Sequence, residues 1–343
     1  MKAALLTEPK QIILKEISEP ALKLGEALIE IKSCGVCATD VKKYSGASKA
    51  PFYPFILGHE PAGIIKAFAG DMGIFSIGDR VAIAPVLTCG TCPGCTSGRT
   101  EGEGMGMCDN YQVIGFSMNG AFCEYVSAPI GNIVKLPDSL SFKNAALIEP
   151  VAACANAVLR SMTTPPGLAV VLGAGFMGLV SMQIYKELGY QVLISDPISE
   201  RLELAKTLGA DYSNNPAAAD LKNMVMEITN GVGADSIILA VGIKKLSDDG
   251  VRLLRKGGRI VLMASGGSND LVEFNLNELH YRQSIITGSV SYTKASYQWA
   301  VALIDQGKIN TDALISETGG LEDVDRLLGL TMNHVGIKNV MVI

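Results

Sequence analysis

Residues 168–189 read LAVVLGAGFMGLVSMQIYKELG, and the fold of the whole chain turns on them. LAVVL is an apolar run of strand length, GAGFMG is a glycine-rich turn, and the rest has the pattern of a helix. The glycines have separate duties. Gly173 permits the tight turn, Gly175 lets a diphosphate approach the backbone, and Gly178 lets helix and strand pack closely. The N–H groups at the helix start, around Phe176 and Met177, have no carbonyl partner and suit an anion. A bare GxGxxG is weak evidence, but this one has its strand, its helix and a downstream acid in place. That acid is Asp196, 23 residues after Gly173 and at the end of the next strand. It can accept both ribose hydroxyls of an adenosine and would repel a 2′-phosphate, which favours NAD over NADP. Arg201, five residues further on, is the one feature that blurs this preference. The plainer readings are a structural glycine turn without a ligand, and Asp196 as a helix cap before Pro197.

The α/β rhythm continues outward from this stretch. YQVLISD (190–196), DSIILAVG (235–242), GGRIVLMAS (257–265) and IITGSVS (285–291) read as strands, and ISERLELAKTLGA (198–210) as a helix ending at glycine. Short strands separated by helical stretches predict a doubly wound parallel sheet. Upstream, EALIEIKSC (26–34), GIIKAFA (63–69), DRVAIAP (79–85) and AFCEYVSAP (121–129) are short apolar segments broken by Gly and Pro, so residues 1–150 read as a strand-rich, barrel-like domain. The alanine-rich run at 141–162 changes to a helical period and marks a boundary near residue 150. Residues 297–309 and 321–334 read as helices, and the terminal KNVMVI (338–343) as a strand whose domain the pattern leaves open.

Four of the eight cysteines fall within twenty residues. Cys89, Cys92 and Cys95 are set at two-residue gaps, and Cys108 closes a four-sulfur set after the spacer TSGRTEGEGMGM. Four cysteinates saturate zinc, so such a site is structural. An iron–sulfur cluster also uses four cysteines, but nothing else in the chain supplies an electron path. A second set is looser. CGVCATD (34–40) offers Cys37 as a soft ligand, Thr39 as a hydroxyl, and Asp40 as a carboxylate able to orient a histidine. GHEPAG (58–63) supplies His59 and Glu60, and Glu149 in LIEPVAAC completes a zinc site with one open position. Taken singly, His59 is as readily a structural histidine, and Asp40 can cap a helix starting near Val41, alone or as well as orienting the histidine. Cys34, Cys123 and Cys154 read as small buried hydrophobes.

Together these pieces resemble the zinc-dependent medium-chain dehydrogenase/reductase family. The resemblance covers nearly the whole chain and rests on GEALIEIKSCGVCATD, GHEPAG followed by IGDRVA, CGTCPGC, LIEPVAA, VVLGAGFMG with Asp196, and the tail LIDQGKI…LEDVDRLL…KNVMVI. It implies a GroES-like catalytic domain in residues 1–150, a Rossmann NAD-binding domain in 151–290, and a return of 291–343 to the first domain. Glu60 with Glu149 is similar to the polyol (sorbitol) and threonine dehydrogenase branch. That likeness implies Cys37, His59 and Glu60 as zinc ligands, with Glu149 direct or through water, Thr39 as the group that passes on the substrate proton, and a homotetramer, with a dimer as runner-up. Three departures stand out: Lys42 occupies the place of a relay histidine, Ser291 that of a substrate-binding arginine, and the spacer before Cys108 is longer than usual.

The expected function is reversible oxidation of a secondary alcohol, a polyol or vicinal diol, with two zinc ions and NAD. The competing readings are an L-threonine-type amino-alcohol dehydrogenase, a polyol-phosphate dehydrogenase drawing on Lys42 or Lys43, a simple secondary-alcohol dehydrogenase, and a non-catalytic zinc- and nucleotide-binding protein. A formal charge of −5 with no basic block disfavours nucleic acid. No signal peptide and no long uncharged apolar run is apparent, so a cytoplasmic location away from membranes is expected.

Overall fold

A computed structural model describes residues 1–242, 247–264 and 274–343; Ser265, the last residue of the 257–265 segment, lies outside them. The chain divides into two compact units, residues 1–152 with 293–343, and residues 153–292.

The second unit carries six parallel strands among its described residues. Their spatial order is Tyr212–Asn214, Gln191–Ser195, Leu168–Leu172, Ala234–Leu239, Leu254–Leu262 and Ile285–Gly288. In chain order this is 3-2-1-4-5-6, the doubly wound Rossmann arrangement, with its switch point at the end of Leu168–Leu172. All five residues of that strand are buried, as expected for a central parallel strand covered on both faces. Helix Phe176–Glu187 follows it directly. One hydrophobic cluster joins Leu168, Val170, Leu172, Leu193, Ile237 and Ile260 to Val225 of helix Leu221–Ile228.

The first unit is β-rich. Strand Glu26–Val36 is its spine: it pairs antiparallel with Glu60–Phe68 on one side and, at successive halves of its length, with Tyr125–Pro129 and Lys338–Val342 on the other. Register places Gly35 opposite Glu60 and Val36 opposite Asn339. Three chain segments far apart in sequence therefore meet at one end of one strand, beside Cys37. The N-terminal hairpin of Lys2–Glu8 with Gln11–Glu16 forms a smaller sheet with Phe55–Ile56. Cys34 is fully buried in the core with Ile29, Ile31 and Phe122.

No helix among the described residues is long and apolar enough to cross a membrane.

Candidate metal centres and cofactor site

Cys37 is the N-cap of the short helix Ala38–Tyr44, and Asp40 is the third residue of that helix. The Asp40 carboxylate, 1% exposed, does three things at once. Its Oδ2 accepts the Cys37 N–H at 3.0 Å, closing half of a capping box; its Oδ1 accepts the Gly58 N–H at 3.0 Å and faces His59 Nδ1 at 3.2 Å. Asp40 thus caps the helix and also orients the histidine. With Nδ1 engaged, Nε2 is left for a metal. Burial opposes charge on His59, but the Asp40 carboxylate and then Cys37 outweigh it and hold its pKa well above the usual histidine value. A cation therefore has to displace a proton there.

Cys37, His59 and Glu60 each bring a ligand atom within 4.8 Å of the others. Gly35 makes room for the third, because a Cβ there would overlap Glu60 Oε2. Gly58, at φ +94°, makes the bend that delivers His59, and a side chain there would strike Phe122 and the Cys34 sulfur.

Sequence reading did not single out the partner of Glu60. Lys338, on the C-terminal strand and 5% exposed, places its ammonium 2.6 Å from Glu60 Oε1 and 2.5 Å from Oε2. Only Oε1 accepts a well-directed hydrogen bond; the buried Oε2 has none. Burial works against the lysine's charge, yet Glu60, with Cys37 and Glu149, raises its pKa above the ordinary value. The set is therefore a fit for a cation: a thiol, an imidazole nitrogen and a carboxylate oxygen with a free lone pair, within metal-binding spacing.

Glu149, near the start of helix Ile148–Ser161, stands outside the three residues whose ligand atoms lie within 4.8 Å of one another. Burial, reinforced by repulsion from Glu60, pushes its pKa up to about 7, with His59 and Lys338 pulling the other way. Two carboxylates with no cation between them resist a shared site. Thr39 is half-buried one position before Asp40, and among the described residues its hydroxyl makes no hydrogen bond. Lys42 is exposed. Lys43, by contrast, is buried: it is 3% exposed, with its ammonium 3.0 Å from the Lys49 carbonyl and 4.1 Å from the centre of the Phe116 ring.

The second metal centre is the loop holding Cys89, Cys92, Cys95 and Cys108, whose sulfurs all lie within 4.8 Å of one another. The Cys92–Cys95, Cys92–Cys108 and Cys89–Cys108 sulfur separations are 3.6, 3.9 and 3.5 Å. A tetrahedron of sulfurs at a zinc–sulfur distance of about 2.3 Å has edges of about 3.8 Å, so the spacing fits zinc. The long spacer folds into two short helical turns, Arg99–Gly102 and Met105–Met107, that bury Thr100 and Met105 and still bring Cys108 into place. Gly94 packs so closely on the Met107 carbonyl that a Cβ would overlap it. The N–H groups of Thr91 and Cys92 lower the Cys89 pKa to about 5, favouring the thiolate that a metal binds.

In the second unit, Gly173 has φ +102°, a Cβ on Gly178 would overlap the Gly173 carbonyl, and Gly175 has nothing within 4 Å of where its Cβ would be. Gly173 therefore makes the turn, Gly178 permits the close helix–strand contact, and the space over Gly175 is open. Phe176 and Met177 open the helix. Asp196, 4% exposed, accepts the Ala174 N–H at 2.7 Å and the Ile198 N–H at 2.9 Å, so it is already fixed in orientation and keeps lone pairs on both oxygens. Arg201 comes within 3.9 Å of Asp196 despite its separation in sequence. Gly173, Asp196, Ile198, Arg201 and Lys222 line a cavity of about 580 Å³.

Residues 23–138 match the alcohol dehydrogenase GroES-like domain, and residues 177–306 match the zinc-binding dehydrogenase domain. The L-galactonate-5-dehydrogenase of Escherichia coli K12 is 33% identical over 92% of this chain and 91% of its own length. An alcohol dehydrogenase of Geobacillus stearothermophilus is 33% identical over 96% of each chain. An alcohol dehydrogenase of Escherichia coli CFT073, solved with NADH, superposes with a TM-score of 0.89 at 28% identity, over 100% of this chain and 99% of that one.

Proposed function

As a member of the zinc-dependent medium-chain dehydrogenase/reductase family, to which this chain belongs, the protein is an NAD-dependent zinc oxidoreductase, and we propose that it oxidises a secondary alcohol flanked by another hydroxyl, a polyol or vicinal diol. The observation that carries this reading is the set of Cys37, His59 and Glu60 with the unbonded Thr39 hydroxyl on the adjoining helix.

Cys37, His59 and Glu60 would hold the catalytic zinc, and the four-cysteine loop a structural one. When bound, zinc supplies Lewis acidity toward the alcohol oxygen, and NAD supplies the hydride acceptor. Thr39 accepts the hydroxyl proton and passes it toward solvent, a role its freedom from other hydrogen bonds suits. Exposed Lys42 stands three residues along the same helix, where its ammonium can orient the water that carries that proton away. Asp40 keeps His59 in the tautomer that presents Nε2. Glu60 Oε2, which accepts no well-directed hydrogen bond, would complete the ligand set while Lys338 balances the carboxylate's charge. Glu149, a buried carboxyl group beside this set, can hydrogen-bond a second hydroxyl of the substrate. The glycine turn and the helix start at Phe176 and Met177 hold the cofactor diphosphate, and Asp196, with Arg201 beside it, reads the ribose. The relative acting on L-galactonate, a polyhydroxy compound, supports this substrate class.

The test is a screen of polyols, vicinal diols, L-threonine and simple secondary alcohols, read by NADH formation. Highest kcat/KM on a polyol or diol is expected. Activity confined to L-threonine or to a monohydroxy alcohol would replace the polyol reading with one of those. A homotetramer is the assembly proposed from the family branch, and light scattering reads its mass.

A further inference from the structure

Lys43 carries a buried positive charge that the reaction outlined above does not use. It lies four residues after Thr39 on helix Ala38–Tyr44, so the two side chains share a helix face with Cβ atoms about 5–6 Å apart. The same helix begins at Cys37 and contains Asp40. The opposite wall of this neighbourhood is the Gly115–Phe116 turn. Gly115 lies so close to the Gly58–His59 peptide that a Cβ would overlap the Gly58 carbonyl, which fixes Phe116 beside the histidine-bearing segment. The Lys43 ammonium rests over the Phe116 ring at 4.1 Å. It is thus held between the Thr39 helix and the loop packed on His59, within the metal centre's own surroundings.

The ammonium is also under-satisfied. It has three N–H donors, and among the described residues its one hydrogen-bond acceptor is the Lys49 carbonyl, at 3.0 Å. Phe116 adds a cation–π contact to a ring that is itself 38% exposed. No carboxylate forms an ion pair with it among the described residues, unlike buried Lys338, which has Glu60. A lysine that is 3% exposed, with no ion pair and only the more distant attraction of the Asp40 carboxylate, is costly to keep unless something else completes its shell.

We propose that Lys43 binds the oxyanion of the substrate, so that the preferred alcohol is an open-chain polyol ending in a carboxylate or a phosphate. The oxidised carbon then stands at Thr39 and the anionic end one helical turn away at Lys43. This inference rests on the alcohol-oxidation reading and narrows its substrate class. A charge-assisted hydrogen bond from a partly desolvated ammonium is worth roughly ten- to a hundredfold in affinity.

The experiment pairs a neutral and an anionic form of one skeleton: galactitol with L-galactonate, and D-arabitol with its terminal phosphate. The kcat/KM of the zinc-loaded enzyme is measured for all four, and binding of L-galactonate and arabitol phosphate is measured separately by calorimetry. The expected result is a preference of about tenfold or more for the anionic member of at least one pair, and that pair names the oxyanion. Lys43→Met should shrink the preference, mainly through KM, and weaken calorimetric binding by a similar factor, while Lys43→Arg retains most of both. Lys43→Gln, which keeps a donor for the Lys49 carbonyl without the charge, serves if the methionine variant fails to fold. Equal kcat/KM within both pairs in the wild type would overturn the proposal, as would equal losses on neutral and anionic members in Lys43→Gln. If none of the four is oxidised while the anions still bind wild type and not Lys43→Gln, the polyol reading fails and the anion site stands.

Discussion

Replacing Lys338 with methionine would leave the Glu60 carboxylate buried without its cation. The pair is close, at 2.5–2.6 Å, and its side chains are 5% and 0% exposed, so solvent screens it little. Breaking a buried pair from one side costs about 3–5 kcal/mol, because the remaining charge is uncompensated. For a chain of this size that lowers Tm by roughly 5 °C. The loss should depend on metal. Zinc at Cys37, His59 and Glu60 gives the carboxylate a new cation, so the deficit of Lys338→Met relative to wild type should fall to about 1 kcal/mol in the zinc-loaded protein. Glu60→Gln with Lys338→Met removes both charges and should recover at least about 2 kcal/mol of the zinc-free loss as coupling energy. The assay is urea unfolding at about pH 8 of the four proteins, zinc-free and zinc-loaded. Because each comparison is between variants in the same metal state, the contribution of the four-cysteine site cancels. Titration of the lysine does not intrude: a raised lysine pKa gives stability that is full below its unfolded value and is lost only as pH rises through the higher folded value. Equal deficits with and without zinc, or no coupling with Glu60→Gln, would refute the reasoning and make Lys338 a packing residue.

Elemental analysis should find about two zinc ions per chain, one for each ligand cluster, and Cys89→Ser should lose one of them with a larger effect on unfolding than on the kcat of the protein that remains folded. Asp196→Ala should weaken NAD use by roughly tenfold and narrow the gap to NADP, since Arg201 at 3.9 Å would be freed to meet a 2′-phosphate; an unchanged ratio of the two kcat/KM values would contradict the role given to Asp196. In zinc-free protein, Glu149 has a folded pKa raised to about 7, so its contribution to stability is full below the ordinary carboxyl value and is lost as pH rises through 7; Glu149→Gln should flatten that fall, seen as a smaller change in unfolding midpoint across the window.

The sequence determined the parts whose chemistry is local. GAGFMG could be read because a turn, a close helix–strand contact and an open backbone each demand glycine at a fixed spacing, and the doubly wound sheet followed from strands alternating with helices. CGTCPGC was legible for the same reason: three cysteines within one loop can reach one ion only at such gaps. What lay beyond reading were relations set by register and burial between distant segments. Lys338 had no mark in KNVMVI, and only the pairing of that strand with Ser33–Val36 brings its ammonium to Glu60, 278 positions away. Glu149 suggested a ligand because its residue type suits zinc, but its burial beside His59, Glu60 and Lys338, which sets its pKa, could not be read from LIEPVAAC. Lys42 and Lys43 are adjacent and chemically identical in the sequence. The turn of one short helix leaves the first in solvent and buries the second over Phe116, because successive residues on a helix point about 100° apart, and tertiary packing decides which direction is covered.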